Sequence, residues 1–234
     1  MAGNSSNLTF RLFGKDVSAS KAFKGVQGTA ATTANKLGGL GTAFAGIGTA
    51  AVIAGTAIAI DFGKQSIDAF TDAQAKSAAF DDAMGRFKGL GTYKGALDDL
   101  AQSLALKTKF DDDETKAAIA TLARYNLTGK QLETLTPLVQ DYAAATGKDL
   151  GSASTLVGKA MLGNAKALKE LGINFKPTGD KAKDFARITQ LLRDKVGGFA
   201  EKEGRTAAGT SEILANQFGE VKEQVGSYLV PALT

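Results

Sequence analysis

The sequence predicts an all-α protein, with one possible short strand near its N-terminus. The expected architecture is elongated, with a long Gly/Ala-rich helix and a compact multi-helix module. Only three prolines occur among 234 residues, so few positions forbid a helix. Apolar residues recur at three- and four-residue spacing through most of the chain, which is the period of an α-helix. Cap-forming residues precede these segments and glycines follow them, as at helix ends.

Residues 1–37 are expected to form a strand followed by a polar arm. Leu8, Phe10 and Leu12 alternate with polar residues, which predicts a short half-buried strand. Apolar residues are sparse in the rest of this region, so the arm is expected to be weakly anchored without a partner. The first residues lack a basic segment followed by an apolar one, and no secretory signal is therefore expected.

A long helix is predicted for residues 38–88, because nothing in this segment forces a break. Its first part, residues 38–60, carries no charge, and Gly-Thr-Ala occurs there three times at seven-residue spacing. Seven residues are almost two helical turns, so the repeat glycines lie on one stripe that another helix can approach closely. The predicted packing stripe consists of Gly41, Gly48 and Gly55.

The same uncharged segment is also long enough to cross a membrane. Its 23 residues would extend about 35 Å as a helix, against about 30 Å for the hydrocarbon core. Its seven strongly apolar side chains favour insertion by only about 2–4 kcal/mol, so a permanent anchor is not expected. Three interpretations stay open: a close-packed oligomeric helix, a segment that inserts conditionally, and a flexible tract. The apolar residues are Leu40, Phe44, Ile47, Val52, Ile53, Ile58 and Ile60.

Short helices with clear start signals are predicted for residues 96–200, the compact module. Asp111 and Glu114 have the spacing of a capping box, in which two side chains cap each other's backbone N–H groups. Thr128 and Gln131 have the same spacing. Each pair therefore predicts the first turn of a helix.

Further starts and stops follow in the same module. Thr136 followed by Pro137 predicts the start of another helix, since proline is favoured at the first helical position. Gly147, Gly163 and Gly172 each follow a periodic apolar segment, and each is expected to end a helix.

Residues 205–234 are predicted to form a helix with a heptad seam. Its apolar residues alternate between spacings of four and three, which is the heptad pattern of a helix that packs against another helix. The pattern covers about two heptads, so it suggests a coiled coil without establishing one. The seam consists of Leu214, Phe218, Val221, Val225 and Tyr228.

Nothing in the sequence indicates an enzyme. The chain has neither histidine nor cysteine, which removes the usual bases, nucleophiles and zinc ligands. We interpret the acidic run 111–114 as a helix start stabilised by the helix dipole rather than as a metal site. Gly46 begins a formal dinucleotide fingerprint, but the buried strand that such a motif requires does not precede it. Catalytic residues, cofactors and metal ligands are therefore not expected. The net charge of +4 contains no long basic run, so specific nucleic-acid binding is not expected either.

The chain resembles the tail tape measure proteins of long-tailed bacteriophages and prophages, either their N-terminal region or a short member. The opening strand with "GKDVSASKAFKGV", the Gly/Ala-rich segment 38–60 and the closing "NQFGEVKEQVGSYLVPAL" are similar to this family. The most specific resemblance lies in "TGKDLGSASTLVGKAMLGNAKALKELGINF". The matching positions there are Leu156, Gly158, Lys159, Ala160, Gly163, Ala167, Leu168, Leu171, Gly172 and Ile173.

This resemblance implies a helical structural protein without a catalytic site. Several copies would pack in the lumen of the tail tube or at the tail tip, after synthesis in the host cytoplasm. They would set tail length during assembly, contact tube and tip proteins, and leave ahead of the DNA, with transient contact of segment 38–60 with the host inner membrane. Two alternatives from other classes are a membrane-active, pore-forming helical protein and a soluble helical adaptor.

Overall fold

The computed structural model describes the backbone of residues 49–233 and the side chains of residues 62–230. The chain divides into two units, 1–60 and 61–234, and the packing reported below belongs to the second. The described residues contain nine α-helices and no strand, so the predicted all-α class is confirmed for them. The predicted strand and arm, 1–37, lie outside the described residues. The helices are α1 (Thr49–Arg86), α2 (Lys94–Ala105), α3 (Asp112–Ala123), α4 (Gly129–Thr146), α5 (Leu150–Met161), α6 (Ala165–Glu170), α7 (Lys181–Val196), α8 (Phe199–Gly204) and α9 (Ala207–Leu233).

Helix α1 contributes its C-terminal part to the core. Phe80 and Met84 are each 2 % exposed, one helical turn apart on the same side of the helix. The glycine-rich segment after Arg86 forms the corner to α2. Gly89 adopts φ +82° there, a conformation that favours glycine, and Leu90 returns to the core.

Helix α4 lies at the centre of the helical core. It packs against α2, α3, α5, α7 and α8. Its buried residues lie on nearly all of its sides, as expected of a helix surrounded by other helices. The side-chain amide of Gln140 donates to Thr115 Oγ1 at 2.8 Å and accepts from Thr108 Oγ1 at 3.2 Å. These buried hydrogen bonds fix α4 against α3 and the end of α2, because a shifted register would leave them unmade.

The predicted helix start at Thr136 and Pro137 is wrong. Both residues lie inside α4, which runs without interruption from Gly129 to Thr146. The Thr136 hydroxyl donates to the Leu132 carbonyl at 2.7 Å instead of capping a new helix. A proline inside a helix costs about 3 kcal/mol. Burial of leucines on both sides of Pro137 outweighs that cost, because each contributes roughly 1.5–3 kcal/mol.

The other predicted helix ends are largely confirmed. Thr128 and Gln131 form both hydrogen bonds of a capping box at the start of α4. Gly147 ends this helix in the left-handed conformation, at φ +66°. Gly163 and Gly172 likewise have positive φ just after α5 and α6.

The predicted capping box between Asp111 and Glu114 does not form, although Asp111 is the N-cap residue. Asp111 does precede α3, but its side chain accepts from the backbone N–H of Asp112 at 2.8 Å, and no box with Glu114 forms. The Asp111 carboxyl is turned instead toward the carboxyls of Asp112 and Glu220.

Candidate interaction surface and acidic cluster on the last helix

Helix α9 crosses α1 in close contact at Gly226. A Cβ atom at this position would collide with the backbone oxygen of Ser66 and with the Cβ of Phe70. Ser66 is fully buried, and its hydroxyl donates to the carbonyl of Phe62 at 2.8 Å. The missing side chain at Gly226 therefore lets the two backbones approach, as small residues do where helices cross.

Hydrogen bonds hold α9 at two further points. The side-chain amide of Asn216 donates to the carbonyl of Lys109 at 2.8 Å, in the segment between α2 and α3. The ammonium group of Lys222 donates to Gln65 Oε1 on α1 at 2.7 Å. One side of α9 is thus fixed to the rest of the second unit.

The predicted heptad seam lies on a different side of α9, which we call the heptad face (Leu214, Phe218, Val221, Val225 and Tyr228). At about 100° per residue, these five side chains fall within a sector of about 80°, and Asn216 and Glu223 lie on the opposite side. Leu214 is 59 % exposed, Phe218 53 % and Tyr228 44 %. Exposed large apolar side chains in a continuous row are typical of a protein–protein contact surface.

One margin of the heptad face contacts α1. The ring centroids of Phe218 and Phe62 lie 6.1 Å apart at an interplanar angle of 54°. The ammonium group of Lys222 lies 5.4 Å from the Phe218 ring centroid. This contact orients Phe218 but leaves more than half of it accessible.

An acidic cluster, defined as Asp111, Asp112 and Glu220, lies where α9 passes the N-terminus of α3. One carboxylate oxygen from each residue lies within 4.8 Å of the others. Asp112 is buried, Asp111 is half-buried and Glu220 is exposed. Lys116 is the cation in contact with this cluster, 2.8 Å from Asp112 Oδ2, and it also lies 3.2 Å from Asp98 Oδ1.

Burial and the crowding of carboxyls raise several pKa values around this cluster. Desolvation and the charge of Asp112 raise the pKa of Asp111 to about 6. Desolvation and the adjoining carboxylate of Asp112 raise the pKa of Glu220 above its ordinary value. Desolvation and the three aspartates at the start of α3 raise the pKa of Glu223 to about 7. Desolvation of Lys116 opposes its charged form, but its carboxylate partners raise its pKa.

The residues predicted for the packing stripe and for membrane contact are only partly within the described chain. Gly41, Gly48 and the first three apolar residues of the segment lie outside the described residues. Gly55 lies in the first turns of α1, as do Val52, Ile53, Ile58 and Ile60. Across the described part of the chain, no helix combines the length and the apolar character needed to cross a membrane.

Sequence reasoning identified the acidic run 111–114 but missed its partner Glu220. These residues are more than 100 positions apart, and their meeting depends on how α9 docks onto α1 and α3. A weak signal existed, because Glu220 and Glu223 are neighbours on one side of the predicted C-terminal helix. Comparisons with protein-family models, with curated proteins and with solved structures find no match for this chain.

Proposed function

We propose that this chain is a non-enzymatic structural protein of tape-measure type in the tail of a long-tailed phage. In this role several copies fill the tail tube or tip, set tail length in assembly and assist DNA passage at infection. The observation that supports it most is the heptad face of α9, on which Leu214, Phe218, Val221 and Tyr228 are exposed large apolar side chains. Self-association through this face provides the bundle of copies that the role requires.

The energetics favour association of several confined copies over a tight free dimer. Full burial of a half-exposed apolar side chain gains on the order of 1 kcal/mol, so the four exposed residues of the face contribute about 4 kcal/mol per copy. Association of two free molecules costs about 4–15 kcal/mol in lost freedom and ordering. Confinement in a tube raises the effective concentration of the copies and removes part of this cost.

Sedimentation velocity of the purified chain tests self-association through the heptad face. Leu214→Glu places a charge on this face at a residue that is mostly exposed, so the fold of the monomer is expected to persist. Ala215→Glu adds the same charge to the neighbouring exposed position, outside the face. We expect concentration-dependent association in the wild type and in Ala215→Glu, and its loss in Leu214→Glu. Equal association of both variants contradicts the proposed surface.

Electron microscopy of particles from the host strain that carries the encoding gene tests the tail role itself. Deletion of the gene is expected to give heads without tails of defined length. Duplication of residues 41–61 adds 21 residues, which extends a helical ruler by about 31 Å. Normal tails after the deletion contradict the tail role, and an unchanged tail length after the duplication contradicts the ruler function.

The apolar segment 38–60 supports one alternative, a membrane-active protein. In that case the purified chain releases dye from lipid vesicles. Ile53→Asp abolishes the release and Ile53→Leu preserves it, because one charge at the centre of an inserted helix costs about 3 kcal/mol. Absence of leakage at micromolar protein favours the structural role.

A further inference from the structure

We propose that Asp111, Asp112 and Glu220 form a binding site for a hard divalent cation of the Ca²⁺ type, which fastens α9 to the N-terminus of α3. The three residues come from both sides of the contact between these helices. An ion bound to all three oxygens would therefore connect α9 to the helical core. The inference does not depend on the phage role proposed above.

A buried oxygen without a partner is the observation that distinguishes this cluster from a solvated acidic surface. Asp112 is 8 % exposed, and its Oδ2 engages Lys116 at 2.8 Å. Its other oxygen, Oδ1, is buried and has no hydrogen-bond partner among the described residues. A buried acceptor without a hydrogen bond lowers the stability of a fold by about 1–3 kcal/mol, and by more when it is charged. A ligand bound to this oxygen would remove that cost.

The local charge also favours a cation. Lys116 is already shared among Asp112, Asp98 and Asp113, at 2.8, 3.2 and 3.5 Å. It cannot neutralise three aspartates and Glu220 as well. A divalent ion supplies the missing positive charge at the point where the carboxylates converge.

The ligand atoms suit a hard cation, and their spacing permits Ca²⁺. All candidate ligands are carboxylate oxygens, and oxygen ligands are those that Ca²⁺ and Mg²⁺ prefer. Two ligands on opposite sides of Ca²⁺ lie about 4.6–5.2 Å apart, against about 4.2 Å for Mg²⁺. The three oxygens all lie within 4.8 Å of one another, so one Ca²⁺ can reach all of them without movement of α9.

Space for further ligands lies beside the cluster. A surface groove of about 480 Å³ adjoins Asp111, Asp112 and Glu220, and Asn216 and Gln217 line it. Water can enter this groove and complete the six to eight ligands of Ca²⁺. A competing arrangement is one proton shared by Asp112 and Glu220, which would satisfy Oδ1 without any metal.

Calorimetric and thermal titrations of the full chain test the site. The protein is treated with EDTA, dialysed and titrated with CaCl₂ at pH 7.5, with MgCl₂ as the comparison ion. We expect one Ca²⁺ per chain, with weaker binding of Mg²⁺. Above the dissociation constant, each tenfold rise in free Ca²⁺ should raise the unfolding midpoint by about 3–5 °C.

Variants assign the binding to this cluster. Glu220→Gln should weaken Ca²⁺ binding at least tenfold, whereas Glu212→Gln, at an exposed position of the same helix, should bind like the wild type. Ca²⁺ should also slow hydrogen exchange in α9 of the wild type. The proposal is overturned if millimolar Ca²⁺ neither binds to nor stabilises the wild type. It is equally overturned if Glu220→Gln binds Ca²⁺ as tightly as the wild type.

Discussion

At the scale of single residues, Lys116 holds the start of α3 together. Its ammonium group forms ion pairs with carboxylates on two helices, Asp98 of α2 and Asp112 and Asp113 of α3. The Lys116 side chain is 12 % exposed, so its ion pairs are little screened by water. Removal of the cation leaves buried carboxylates without compensation, which costs more than a surface ion pair contributes.

Lys116→Met is therefore expected to lower the free energy of unfolding by about 3 kcal/mol in EDTA. The matched control is Lys94→Met, which removes an ion pair with Asp81 whose partners are 50 % and 54 % exposed. That change should cost less than about 1 kcal/mol. Urea denaturation of both variants measures the difference, and equal losses contradict the assigned role of Lys116.

The raised pKa of Glu223 predicts a pH dependence of stability. Glu223 faces Asp111, Asp112 and Asp113 of α3 and Lys76 of α1, with Glu220 on its own helix. Since its folded pKa of about 7 exceeds the ordinary 4.5, the folded state binds the proton more tightly than the unfolded state. Its stabilising contribution is full below pH 4.5 and is lost as the pH rises through 7.

In EDTA, the unfolding midpoint of the wild type should accordingly fall between pH 5 and pH 7.5. Glu223→Gln cannot ionise, so its midpoint should fall less over the same interval. Differential scanning calorimetry across this range measures both slopes. A wild-type midpoint that rises with pH, or identical slopes for the two proteins, would show that the carboxyl of Glu223 is not crowded in the folded state.

At the scale of helices, the contact between α9 and α1 depends on one glycine. Gly226→Ala would place a methyl group against Ser66 and Phe70. The helices would have to shift to accommodate it, which typically lowers the free energy of unfolding by about 1–3 kcal/mol. Gly219→Ala, on the same helix, meets no described atom within 4 Å and should stabilise it by about 0.5–1 kcal/mol. In chemical denaturation we expect Gly226→Ala to lower the free energy of unfolding and Gly219→Ala to raise it. Stabilisation by both substitutions contradicts the close crossing of α9 and α1.

Helix α4 contains a proline whose removal should be favourable. Pro137→Ala restores a backbone N–H that can donate to the carbonyl of Glu133, and it relieves the strain of the ring in the helix interior. We expect a gain of about 1–3 kcal/mol in the free energy of unfolding. A loss of stability would indicate that the packing of the proline ring outweighs the missing hydrogen bond.

The boundaries of helices were predictable from sequence where a local interaction determines them. The Thr128–Gln131 box and the stop at Gly147 depend on neighbouring residues alone, and both form as predicted. The helix start predicted at Pro137 was wrong because the local preference of proline for a first helical position was outweighed by burial of the surrounding leucines. That burial depends on tertiary packing. The acidic cluster was not predictable for the same reason, since Glu220 reaches Asp112 only after α9 has docked.

At the scale of the whole molecule, the prediction of an all-α protein needed only proline content and apolar periodicity. The role proposed for the chain depends on more than this class, because many unrelated functions use helical folds. Its central claim is that copies of the chain meet through the heptad face. Val221 lies at the middle of that face, so it would lie close to its counterpart in parallel and antiparallel pairs alike.

Disulfide cross-linking tests this claim most directly, because the chain has no native cysteine. Val221→Cys is oxidised in the purified chain and in assembled particles, and Ala215→Cys, at another exposed position outside the face, is treated in the same way. A disulfide needs Cα atoms less than about 7 Å apart, whereas accidental encounters between molecules would cross-link both exposed positions alike. We predict that Val221→Cys yields the covalent dimer and Ala215→Cys does not. Equal cross-linking of both variants, or a dimer formed by Ala215→Cys alone, would contradict self-association through the heptad face.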